Sequence, residues 1–225
     1  MTQHKSQSAP HGAHEEAPRF FLVTPEISDA QGFAPRLEEA LGACDVACLL
    51  IRPEGRDPRA AQKIFRALAG PAQSRGVAVL APDGAQLAVR AGADGCHVAG
   101  GDLDDALKAL KPDGIVGAGA LETRDDAMAA GEAGVDYVMF GGPDETADAA
   151  DTLERVAWWT EIFNVPCVGY AHRLDEIGPL VSAGAEFVAL GEACFDDPRG
   201  VAAALGEAQA ALLSAHQART HARAR

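Results

Sequence analysis

The sequence predicts a single (β/α)8 domain of the TIM-barrel class, and three observations carry that prediction. The first is a short phrase written four times: a small-residue helix end, a glycine, a small residue or cysteine, an acid, then an apolar stretch. The copies are Leu41-Gly42-Ala43-Cys44-Asp45-Val46, Ala91-Gly92-Ala93-Asp94-Gly95, Ala133-Gly134-Val135-Asp136-Tyr137 and Ala183-Gly184-Ala185-Glu186-Phe187. Their glycines lie 50, 42 and 50 residues apart, about two βα units each time. Glycine just past a helix takes the left-handed conformation that satisfies the last helical carbonyls, so each phrase reads as a helix-to-strand joint. The second observation is the alternation of eight short apolar segments with helical ones. The third is composition: 225 residues, 48% hydrophobic and only 5% aromatic, suit one large core of strands buried on both faces. A flavodoxin-like open sheet, the rival architecture, needs only five or six strands.

The elements follow in order. Residues 1–18 are polar, with His4, His11 and His14 scattered among Ser, Gln and Ala, the composition of a disordered tail rather than a metal site. Strands are expected at 20–24, 46–51, 77–80, 95–98, 114–117, 136–140, 166–169 and 187–190. A helical stretch follows each, and the clearest are 35–41, 58–72, 103–110, 125–133, 153–163 and 201–213. Asp57-Pro58 is an N-cap followed by proline at the first helical position, and Asp197-Pro198 repeats the pattern. The barrel is expected over 19–213, followed by a basic, solvated tail over 214–225.

Charge and cysteine usage exclude some functions. A formal net charge of −14 argues against duplex nucleic acid, whose binding depends on cationic neutralisation of phosphates. The five cysteines (Cys44, Cys48, Cys96, Cys167, Cys194) have no CxxC spacing, so neither a disulfide framework nor a zinc site is expected, and a cytoplasmic location is. No apolar run reaches membrane-spanning length. The sequence leaves a homo-oligomer open.

In a TIM barrel the chemistry sits at the C-terminal strand ends, with a phosphate site after the seventh and eighth strands. The candidates are therefore Arg52, Asp83 and the segments 97–102, 117–122, 141–146, 169–173 and 191–194. The segment from Ala91 to Leu103, with Ile115-Val116-Gly117, the stretch from Ala130 to Val138 and Val165-Pro166-Cys167-Val168-Gly169, resembles the thiamine-phosphate synthase/TenI family over roughly 20–213. That resemblance implies a TIM barrel acting on small phosphate ligands. Its synthases join hydroxymethylpyrimidine pyrophosphate to thiazole phosphate with magnesium's help, releasing pyrophosphate; its TenI relatives are thiazole tautomerases. It further implies magnesium at Asp83 and Asp102, pyrophosphate at Arg52, and the thiazole-phosphate end lined by Gly141, Thr146 and Gly191. Two carboxylates at neighbouring strand ends suit a hard cation, while each also reads as a turn or helix-capping residue. His97 reads as a packed strand-end histidine or as a ligand.

The departures from the family pattern are as informative. Arg52 stands without the Gln and Lys that flank it in the family, and the Ser-Thr-His-Thr stretch after the fifth strand becomes Gly119-Ala120-Leu121-Glu122. After the sixth strand the family's lysine is absent, and Asp144, Glu145 and Asp148 surround Thr146. The Gly-Gly after the seventh strand is replaced within Tyr170-Ala171-His172-Arg173, where His172 and Arg173 offer charge in place of a glycine backbone. No lysine falls at a predicted strand end, which removes both Schiff-base chemistry and much of the cation expected around a leaving pyrophosphate. Three readings stand: a synthase with a worn active site, a non-catalytic or regulatory barrel that binds phosphate ligands, and a different phosphate-handling lyase or isomerase. No catalytic residue is assigned.

Overall fold

The computed structural model describes residues 16–55, 57–144 and 148–223. Most of the expected N-terminal tail and Thr146 lie outside those residues. The chain runs β1 (Arg19–Ile27), α1 (Ala30–Ala43), β2 (Val46–Pro53), α2 (Pro58–Gln73), β3 (Ala78–Pro82), α3 (Ala85–Ala91), β4 (Gly95–Val98) and α4 (Leu103–Leu110). It continues with β5 (Ile115–Ala118), α5 (Arg124–Ala133), β6 (Tyr137–Phe140), α6 (Ala149–Ile162), β7 (Cys167–Ala171), a 3₁₀ turn (Leu174–Glu176), α7 (Ile177–Ala183), β8 (Phe187–Leu190), α8 (Glu192–Phe195) and α9 (Val201–Arg223). Every strand pairs in parallel with the next, and β8 closes on β1, with Arg19 opposite Phe187 and Leu22 opposite Leu190. The expected closed (β/α)8 barrel is the observed one.

Strand alternation divides the core in two. Phe21, Val23, Leu50, Leu80, Met139 and Val168 fill the barrel interior together with both tyrosines, Tyr137 and Tyr170. Their neighbours in the chain, such as Phe20, Leu22 and Leu49, face outward under the helices. This two-sided burial is why the strands read as continuous apolar runs.

The repeated phrases do what their residues dictate, with one exception. Gly92, Gly134 and Gly184 close α3, α5 and α7 in left-handed conformations, with φ of 71°, 92° and 112°. Gly42 does not: α1 continues through Ala43 and ends at Cys44. The acid has a role that periodicity does not reveal. Asp94 Oδ2 accepts the Val79 N–H of β3 at 2.7 Å, Asp136 Oδ2 the Val116 N–H of β5 at 2.7 Å, and Glu186 Oε2 the Cys167 N–H of β7 at 2.9 Å. Asp45 accepts the Arg19 guanidinium at the head of β1 at 2.9 Å. Each acid that opens an even strand thus fastens the start of the odd strand before it.

Helix boundaries differ from expectation in several places, among them α6, which starts at Ala149 rather than at 153 because the Asp148 carboxylate accepts the Asp151 N–H at 2.9 Å. Helix α1 starts at Ala30, not Pro35, because the Asp29 carboxylate accepts the Gln31 N–H at 3.0 Å and caps it there. Asp197-Pro198 opens no helix: Asp197 turns its carboxylate onto the backbone and guanidinium of Arg199, and α9 begins after Gly200. The basic segment after residue 213 is not a loose tail as far as Arg223. It prolongs α9, which packs on α7 and α1 and sends Arg219 Nη1 to the Val181 carbonyl at 3.1 Å.

Candidate active site at the barrel mouth

The C-terminal strand ends bring most of the candidate residues to one rim. Arg52, at the end of β2, is fixed through its backbone N–H, which donates to the buried Thr24 hydroxyl at 2.9 Å. Its guanidinium crosses to the loop after β6 and meets the Asp144 carboxylate at 2.5 Å, with Glu26 Oε1 at 3.7 Å. Strands β2 and β6 stand four places apart in a ring of eight, so the pair spans the opening.

Asp83 and Asp102 leave the ends of β3 and β4. Asp83 sits at φ 37°, a left-handed conformation that aspartate tolerates better than most side chains. It is held there from two sides: its N–H donates to the His97 carbonyl at 2.9 Å, and its Oδ1 accepts the Ala99 N–H at 2.8 Å. Asp102 caps α4, its Oδ1 accepting the Asp105 N–H at 3.0 Å. The capping reading is therefore realised for Asp102, and Asp83 ties its loop to the next. In each carboxylate Oδ2 makes no hydrogen bond to a described residue. Among the described residues no three of His, Cys, Asp and Glu gather as a metal-binding group.

His97 is a packed core histidine. It is 6% exposed, its ring lies parallel to that of Tyr137 with centroids 5.8 Å apart, and Nδ1 shares a 2.9 Å hydrogen bond with the Tyr137 hydroxyl. Burial pulls the imidazole down to about 4, against a smaller opposing pull from the Asp83 charge. The ring is neutral at physiological pH and has no charge to offer an anion. Gly119, just after β5, makes room for it, since a Cβ there would come within 2.5 Å of Nε2.

On the far side, Gly141 turns at φ 74°, where a Cβ would press on Thr152 Oγ1 at 3.0 Å and Tyr170 Cβ at 3.2 Å. Thr146 falls outside the described residues. Arg173 is not aimed into the mouth: its guanidinium forks onto Asp175, two residues on, with Nε at 3.0 Å from Oδ1, and the side chain is 70% exposed. Glu176 accepts the backbone N–H groups of both His172, at 2.8 Å, and Arg173, at 3.3 Å. Gly191, after β8, carries no side chain because the Tyr170 hydroxyl lies 2.3 Å from where its Cβ would stand. No described lysine reaches the rim: Lys63 lies on α2 and Lys108 on α4, and Lys111 pairs with Asp136 at the opposite end of the barrel.

Sequence reasoning missed two features of this rim. Asp144 reads in the sequence as one of three acids around Thr146, whereas it is the partner of Arg52. Tyr170 reads as part of a loop, whereas it is the last β7 side chain in the barrel interior; the strand's alternation from Val168 was the available signal.

A sequence profile described as thiamine monophosphate synthase matches residues 20–194. The chain belongs to that family. A thiamine-phosphate synthase of Rhodospirillum centenum is 39% identical over 197 residues, covering 84% of this chain and 95% of the relative. One of Hyphomonas neptunium is 39% identical over 199 residues, covering 83% and 90%. Among solved structures, a thiamine phosphate pyrophosphorylase from Pyrococcus furiosus superposes with a TM-score of 0.74 at 18% identity, covering 88% of this chain and 96% of that one. A 3-hexulose-6-phosphate synthase shares the same barrel, with a TM-score of 0.65 at 19% identity, so likeness at this level establishes the fold alone.

Proposed function

We propose that this member of the thiamine monophosphate synthase family works in thiamine biosynthesis, joining hydroxymethylpyrimidine pyrophosphate to thiazole phosphate and releasing pyrophosphate. The observation that carries the reading is the rim itself. Asp83 and Asp102 leave adjacent strand ends, each with one carboxylate oxygen on a backbone N–H and the other oxygen uncommitted. Arg52 stands at the same mouth as its most enclosed cation, with 15% of its side chain exposed.

The donor set suits magnesium in one particular manner. Mg²⁺ usually takes one or two protein carboxylates and completes its octahedron with water and substrate phosphates. Two carboxylates with free oxygens meet that need. Magnesium bound between them would supply charge neutralisation for a departing pyrophosphate. The protein's own part is to orient: Arg52 holds the pyrophosphate, and Gly141, Thr146 and Gly191 line the thiazole-phosphate end. Because lysine is missing from the described rim and Arg173 is committed to Asp175, electrostatic stabilisation of the leaving group rests heavily on Arg52 and the metal. The same reading makes the protein cytoplasmic, with small phosphate ligands as its partners. Among the described residues no helix is long and apolar enough to cross a membrane.

The pairing of Arg52 with Asp144 favours a second reading, a barrel that binds phosphate ligands without turning them over. One experiment separates the two. Both substrates are supplied with magnesium and pyrophosphate release is followed, while thiazole phosphate binding is measured by calorimetry. Turnover establishes the synthase, binding without turnover the regulatory barrel, and neither result overturns both.

A further inference from the structure

The protein has two tyrosines, both in the barrel interior, and their hydroxyls differ in one respect. That of Tyr137 is bonded to His97. That of Tyr170 makes no hydrogen bond to a described residue, although the residue is only 3% exposed. Its oxygen is not among the fully enclosed unpartnered polar atoms of the described residues, so a tyrosine with a buried ring opens its polar tip onto the mouth.

The position of this hydroxyl indicates where its partner belongs. The ring rises from β7 among the interior apolar side chains, with His172 set edge-on at 4.8 Å. Its oxygen reaches the bare backbone of Gly191 after β8. This is the β7–β8 corner, where barrels of this class usually build a phosphate site. Several donors of the corner are already engaged: Glu176 takes the His172 and Arg173 N–H groups, and Asp175 takes the Arg173 guanidinium. Burial, reinforced by Glu192 and only partly opposed by Arg52, raises the phenol's pKa, so it keeps its proton at any physiological pH.

We infer that Tyr170 is a specificity-determining residue whose hydroxyl donates a hydrogen bond to the phosphate-bearing heterocycle bound at the Gly191 end of the mouth. The inference rests on the synthase-type reading of the site and adds to it a side-chain donor where relatives of this pattern have glycine backbone.

The test is Tyr170→Phe, which keeps the ring and its packing. In calorimetry, thiazole phosphate is expected to bind the variant about tenfold more weakly than the unaltered protein, the effect of losing one hydrogen bond. Binding of inorganic pyrophosphate with magnesium and the melting temperature should stay the same or improve. Equal affinity of the two proteins for thiazole phosphate overturns the role of Tyr170 and leaves the functional reading intact. So does a variant that melts several degrees lower and loses both ligands equally, since that marks a structural hydroxyl. If the unaltered protein binds no thiazole phosphate at all, the functional reading and this inference fall together.

Discussion

Arg52 and Asp144, from opposite sides of the barrel, hold each other at 2.5 Å across its mouth. The Asp144 carboxylate stands where a substrate phosphate would seek the guanidinium, so the protein carries its own competing anion. Charge-assisted pairs of this kind are strong but exchangeable when one partner is exposed, and 76% of the Asp144 side chain is. Asp144→Asn is expected to tighten binding of inorganic pyrophosphate with magnesium by about tenfold, and Arg52→Gln to weaken it by at least that factor. Calorimetry at two ionic strengths checks both; an unchanged affinity in the Asn variant means that Asp144 does not compete.

The buried His97 makes stability depend on pH. Its imidazole titrates near 4 in the folded protein against an ordinary 6.5. Above pH 6.5 neither state holds the proton and the full stability is present. As pH falls from 6.5 toward 4, the unfolded chain binds a proton that the native ring refuses, and roughly 3 kcal/mol is lost. Urea midpoints at pH 7.5 and 5 should therefore diverge in the wild-type protein and converge in His97→Gln. An equal divergence in both would assign the acid sensitivity to other groups.

Two glycines from the same repeated phrase are expected to respond oppositely to alanine. Gly42 is helical with open space around its Cβ position, so Gly42→Ala should stabilise by about 0.5–1 kcal/mol. Gly92 sits at φ 71°, and alanine there should destabilise by about 1–2 kcal/mol despite equally open surroundings. Thermal melts of the two variants decide it, and a shared sign of effect would contradict the backbone assignments.

The acid of the phrase can be tested at Asp94. Asp94→Ala strips the Val79 N–H, at the start of β3, of its carboxylate. A cost of about 1–3 kcal/mol is expected from the unpaired buried donor. Hydrogen exchange at the Val79 amide should accelerate ahead of the rest of the strand, and unaltered protection there would show that Asp94 carries no such load.

Much of this was written in the sequence where the signal was local. The eight strands, the α2 start at Asp57-Pro58 and three of the four glycine joints follow from neighbours within a turn of helix. Gly42 misleads because a helix needs no glycine to end, and α1 simply runs on to Ala43. Helices α3 and α7, seven residues each, are too short for a clear period. The site was harder to read for the same reason. Asp102 announces its cap three residues ahead, whereas Arg52 and Asp144 lie 92 positions apart and meet only because the sheet closes. Arg173 drew attention as a cation, yet a carboxylate two residues away turns it outward.

The fastening of each odd strand by the acid ahead of its even neighbour gives the closed sheet hidden seams. The tie joins β1 to β2, β3 to β4, β5 to β6 and β7 to β8, so each lies within one contiguous stretch of chain. A break in the exposed turn at Gly76 leaves all four stretches whole; one at Gly84 parts Asp94 from Val79. Chain breaks that spare these ties and breaks that sever them therefore alternate around the circumference of the barrel.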